Sequence, residues 1–83
     1  MNVQVFDTHV RTLEGAYLHF DVLIEGQDQA LAARHARDWL ASRGVMAEDV
    51  AQSRCQFCHS EPAHPEVAAA IAQQGYFIIP LQG

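Results

Sequence analysis

Two stretches near the start of the chain alternate in polarity with a period of two. In residues 3–10, Gln4, Phe6, Thr8 and Val10 fall on one side and Val3, Val5, Asp7 and His9 on the other. In residues 16–24, Leu18, Phe20, Val22 and Ile24 oppose Tyr17, His19, Asp21 and Leu23. Side chains of a strand point alternately to its two faces, so each stretch predicts a strand. The link Arg11-Thr12-Leu13-Glu14-Gly15 ends on a glycine suited to positive φ. Two such runs joined this way predict a β-hairpin. With Glu14 at the middle of the turn, facing residues have numbers that sum to 28. Asp7 then opposes Asp21 and His9 opposes His19, on the side away from Phe6 and Phe20.

The pattern changes after Gly26. Over residues 28–43, Ala32, Ala33, Ala36, Trp39 and Leu40 gather on one side at 3.6 periodicity, with Arg34, Arg37 and Asp38 opposite. Asp28 suits the N-cap and Gly44 the stop. Residues 50–57 alternate again: Ala51, Ser53, Cys55 and Phe57 against Gln52, Arg54 and Gln56. Pro65 and Glu66 suit the first turn of a second helix, which Gly75 ends. Residues 76–81 are an apolar strand whose Pro80 belongs at a sheet edge. The expected architecture is an α/β (α+β) domain spanning residues 1–83, in the order β-β-α-β-α-β. Its sheet is expected to be single, four-stranded and mixed, with both helices packed on one face. Phe6, Phe20, Val22, Trp39, Leu40, Phe57 and Ile71 are the expected core.

Composition narrows the function classes. The 83 residues carry a formal charge of −5, and all five basic residues are Arg. Nucleic acid and anionic membranes need a cationic field, so neither is an expected partner. No apolar run approaches the ~20 residues of a membrane span. The N-terminus lacks the pattern of a secretory signal, so a cytoplasmic location with reduced thiols is expected. No nucleotide loop or nucleophile elbow is present.

Two groups of residues carry chemistry. The first is Cys55-Gln56-Phe57-Cys58-His59-Ser60-Glu61-Pro62-Ala63-His64, which holds both cysteines and two of the five histidines. Thiolate and imidazole are the usual zinc ligands, and Cys55, Cys58 and His59 could share one ion, with His64 an alternative third ligand. A fourth ligand is missing nearby, so the site would be open or shared across a dimer. A redox dithiol normally opens a helix, and this pair lies on a strand. Haem attachment through Cys-x-x-Cys-His needs export, which the N-terminus does not suggest. The plainest alternative is structural: two reduced thiols, with Cys55 turned inward beside Phe57 and more buried than Cys58. The second group is the polar side of the hairpin: Asp7, His9, His19 and Asp21, rimmed by Tyr17 and Arg11. Two carboxylates and two imidazoles about 5 Å apart could bind a metal or act as acid and base. Otherwise they are the wet face of a half-exposed sheet.

Four blocks carry a family resemblance: Val5-Phe6-Asp7-Thr8-His9-Val10; His19-Phe20-Asp21-Val22-Leu23; Cys55 through Glu61; and Pro65-Glu66-Val67 through Ile71, with Gly75-Tyr76-Phe77-Ile78-Ile79. Over nearly its whole length the chain resembles DUF2024, a family of small uncharacterised bacterial proteins. The resemblance implies a small α/β domain and brings no activity or cofactor. The family usually has Tyr before the position of Val10, where this chain has His9. That shifts weight to His19, Asp21 and Asp7 as candidate catalytic residues. The function expected is a small binding or interaction module with a polar Asp/His/Cys site. The alternatives are a zinc-binding protein using Cys55, Cys58 and His59, or a small enzyme with His/Asp acid–base chemistry. A homodimer is expected, because the apolar Tyr76–Leu81 strand would lie at a sheet edge that invites pairing.

Overall fold

The computed structural model describes all residues from Met1 to Gly83. The chain runs β1 (Asn2–Thr12), β2 (Tyr17–Ile24), α1 (Gln29–Ser42), a 3-10 turn (Ala47–Asp49), β3 (Val50–Pro62), α2 (Pro65–Gln74) and β4 (Phe77–Gln82). The hairpin forms as the alternation predicts. Asp7 pairs with Asp21, His9 with His19 and Thr8 with Phe20. Gly15 takes the turn at a φ of 92°, a backbone region that only glycine enters freely.

The sheet has the order β3-β1-β2-β4, and every neighbouring pair is antiparallel. This corrects the expected mixed sheet. The crossover after β2 does not set β3 beside it. It steps past the hairpin to the free edge of β1, and β4 then takes the free edge of β2. No two parallel strands become neighbours.

The helices do not share a face, which corrects the second expectation. Phe6, Val10, Leu18, Phe20, Val22 and Ile24 pack with Ala32, Ala36 and Leu40 of α1. Val3, Val5 and Leu23 point the other way and pack with Val67 and Ile71 of α2. Those three apolar side chains lie at the polar-face positions of the hairpin and need cover of their own. Helix α2 supplies it where the chain crosses from one sheet edge to the other. Its ten residues span about 15 Å, close to the roughly 14 Å across four strands. One such crossing covers only one end of that face.

Local signals fix the helix ends. The Asp28 carboxylate accepts from the Leu31 amide at 3.1 Å and caps α1. Pro65 opens α2, and Gly75 closes it in the left-handed region at φ 93°. His35 of α1 stacks on Tyr76 at 4.5 Å, so α1 touches the turn that follows α2. Burial holds the His35 imidazole below its ordinary pKa, offset by Asp38 and reinforced by Arg34.

Phe6, Phe20, Val22, Leu40 and Ile71 are buried as expected; Trp39 and Phe57 are not. Phe57 is 45% exposed, because β3 lies at the sheet edge and α1 reaches only part of it. It keeps an edge-to-face contact with Phe6, centroids 5.7 Å apart. Trp39 is half-buried at the rim, 4.5 Å from Phe20 on one side, with Arg43 4.7 Å away over its ring. Phe20 is fully buried, so Phe20→Ala is expected to cost about 3–5 kcal/mol. Trp39→Ala should cost less, about 2 kcal/mol, since part of that ring already meets water. Urea midpoints of the two variants check the ranking; equal losses would place Trp39 in the core.

Candidate functional site

The uncovered end of the α2 face carries the polar residues of the hairpin. The antiparallel register brings Asp7, His9, Tyr17, His19 and Asp21 to one side of two adjacent strands. Asp7 is the hub. Its Oδ1 accepts from His19 Nε2 at 2.6 Å and its Oδ2 from His9 Nε2 at 2.8 Å. The two imidazoles stack nearly parallel, centroids 4.1 Å apart at 11°. With Nε2–H directed at Asp7, His9 Nδ1 is an acceptor, and the Tyr17 hydroxyl donates to it. Donor atoms of Asp7, His9 and His19 all lie within 4.8 Å of one another, the one group of three metal-ligating side chains so close.

The two aspartates titrate in opposite directions. Burial pushes the Asp7 carboxyl up, but hydrogen bonds and charge from His19 and His9 outweigh it, and the net shift is down. Asp21 is raised by burial and by the neighbouring Asp7 carboxylate, against opposing pulls from His19 and His59. One carboxyl is held ionised while its partner is pushed toward the neutral form, an arrangement suited to acid–base chemistry.

Strand β3 extends the patch. The strand runs to Pro62, five residues beyond the expected end, and its register with β1 shifts twice, at Ala51 and at Cys58. Phe57 pairs with Phe6 and His59 with Val5, so Cys58 has no partner. The extra residue turns His59 and Glu61 to the α2 face. There His59 Nε2 donates to Glu61 Oε1 at 2.7 Å, and the Cys58 thiol lies 3.3 Å from His59 Nδ1. Cys55 faces α1 instead, half-buried, with the Thr8 hydroxyl 3.5 Å from its sulfur. The structure therefore gathers Asp7, His19 and Asp21 as expected, and it does not gather Cys55, Cys58 and His59 around one point. His64 stands exposed at the N-cap position of α2, with no side-chain capping hydrogen bond.

The family model for the domain of unknown function DUF2024 matches residues 1–81. The chain belongs to the DUF2024 family. The NMR structure of protein NE1680 from Nitrosomonas europaea, a Northeast Structural Genomics Consortium target, is similar to this DUF2024 protein. The two are 42% identical with a TM-score of 0.84, over 100% of this chain and 98% of that one. No curated protein matches the chain.

Sequence reasoning gave His9 less weight than its neighbours, yet it completes the cluster. The register already showed this: a residue two positions from Asp7 and opposite His19 has to share their face. Glu61 as a partner of His59 was not foreseen, because the bulge that turns both leaves no mark in the alternation of residues 50–57.

The thiols should separate chemically. Burial raises the Cys55 pKa, with the Thr8 hydroxyl lowering it and Asp7 raising it further; Cys58 is exposed. Thiolate is the reactive form. Iodoacetamide should therefore label Cys58 at least about tenfold faster than Cys55, read by peptide mass mapping over time. Equal rates would show that Cys55 is open to solvent.

Proposed function

We propose that this DUF2024 protein is a small binding module that holds a divalent transition-metal ion, zinc in the first instance, on Asp7, His9 and His19. The observation that carries the reading is the single Asp7 carboxylate set between two stacked imidazoles on an uncovered sheet face. Two histidines and a carboxylate are a known open donor set for zinc, which leaves a coordination position for water or a ligand. Ligands about 2.0–2.2 Å from one ion stand about 3–3.5 Å apart. The 2.6 and 2.8 Å contacts of Asp7 would open by up to about 0.9 Å as the ion replaces the two Nε2 hydrogens. With Nε2 on the ion, the His9 hydrogen would sit on Nδ1 and donate to the Tyr17 oxygen, the outer hydrogen bond that orients a ligating imidazole.

Titration of metal-free protein with zinc in a calorimeter tests the reading. One ion per chain is expected. Asp7→Asn or His19→Ala should weaken it at least about tenfold, or 1.4 kcal/mol. A ligating nitrogen must be free of its proton, so affinity should fall as pH is lowered. Cys55→Ser and Cys58→Ser should leave it unchanged. Loss in Cys58→Ser with full binding in Asp7→Asn would move the site to Cys55, Cys58 and His59. No uptake at all would end both metal readings.

We also propose a homodimer. Strand β3 has a free outer edge over Val50–Pro62, with Phe57 exposed on it, whereas Pro80 blunts the edge of β4. Sedimentation at micromolar concentration should give twice the 9.2 kDa chain mass; a monomer at every concentration would reject it.

A further inference from the structure

Two of the five arginines line one groove. On the α2 face, Arg54 of β3 pairs with His9 of β1, and Arg11 lies two residues along β1 from His9. Diagonal neighbours across a strand pair have backbones about 7–8 Å apart, so both side chains rise from one small area of the sheet. They line a groove of about 570 Å³ with His9, Tyr17, Gln52 and Ser53. None of those six residues is acidic. Every ion pair in the molecule uses a histidine, and none uses an arginine. The nearest carboxylate along the face, Asp7, is occupied by His9 and His19.

Arg11 is also held in place. Its guanidinium lies 4.7 Å over the Tyr17 ring. Stacking fixes the plane of the group and leaves its N–H donors pointing outward. A protein of net charge −5 has no general need to concentrate cations. Two like charges on the walls of one groove without a counter-charge repel one another, and an anion between them removes the repulsion. Planar guanidinium forks match the oxygens of phosphate and carboxylate in a bidentate manner.

We propose that this groove is a binding subsite for a small oxyanion-bearing molecule, a phosphate or carboxylate compound, gripped by Arg11 and Arg54. Tyr17 forms one wall. The groove volume falls in the usual range for small-molecule sites, about 300–1,000 Å³, so it accommodates more than a bare ion. His9 belongs to both this groove and the Asp7 cluster. A ligand anchored by its anionic end at the arginines would therefore extend toward Asp7, His19 and Asp21. The subsite itself needs no metal, so it stands or falls apart from the zinc reading.

The test uses the full chain, stripped of metal and desalted, at constant ionic strength. Isotope-labelled protein is titrated with inorganic phosphate in one arm and malonate in the other, and followed by NMR. Saturable shifts are expected at His9, Arg11, Tyr17 and Arg54, with a Kd of about 1 mM or tighter for at least one probe. Arg34, Arg37 and Arg43 serve as internal controls. Arg11→Gln and Arg54→Gln should each weaken binding at least tenfold. Arg54→Lys should fall between, because it keeps the charge and loses the fork. Both arginines are exposed, so unchanged spectra away from the groove will show that the variants fold. Saturation by phosphate alone assigns a phosphorylated ligand; saturation by malonate alone assigns a carboxylate. Shifts that never saturate, that are equal at the control arginines, or that survive both glutamine variants overturn the proposal.

Discussion

Strand β1 is hydrogen-bonded along both edges, to β2 on one side and β3 on the other. Its register with those two neighbours fixes everything else. A slip of one residue would exchange the faces of every side chain on it. Phe6, Thr8 and Val10 would leave α1 for water, and Asp7 and His9 would be driven beneath it. The buried aromatic and aliphatic residues of that face make such a slip very costly. The polar cluster is therefore held in place by apolar residues on the opposite side of the same strand, none of which touches it.

The two faces are used differently. Helix α1 lies along the hairpin face that is mostly apolar, with Thr8 its buried polar residue, and one core forms there. The other face is apolar only at the end where Val3, Val5 and Leu23 point, and α2 stops once it has covered them. What remains open is a floor of backbone-anchored imidazoles and carboxylates, with arginines beyond. Sites carried on central strands move little, because each residue is restrained by pairing on both sides. Asp7 and His9 have that restraint.

Much of this was legible in the sequence. Period-2 alternation is a direct readout of which face a side chain takes, so the Asp7–Asp21 and His9–His19 pairs follow once the turn is centred on Glu14. The helix ends were equally plain, because Asp28, Pro65 and Gly75 act through local backbone chemistry. The sheet order was not. Whether β3 joins the edge of β1 or of β2 depends on which edge is left free and on the reach of the crossover, and no local pattern records either. The face taken by α2 was readable in principle: Val3, Val5 and Leu23 sit among polar residues on the hairpin and have to be covered by something. Phe57 misled for a related reason. Alternation gives the side of the sheet, and only the strand's place at the edge decides how much of that side is buried.

The unpaired Cys58 gives β3 a property that outlasts its thiol. Just upstream of it, Ser53, Cys55 and Phe57 lie on the α1 side; downstream, His59 and Glu61, also odd-numbered, lie on the α2 side. The strand behaves as a half-twist inserted into a ribbon. Removing that one position would return His59 and Glu61 to the α1 side, away from the polar patch. Exchanging Cys58 for another residue would leave the phase untouched. In this segment the count of residues carries structural information that their identities do not, and a relative with a different residue there can keep the same face provided it keeps the same length.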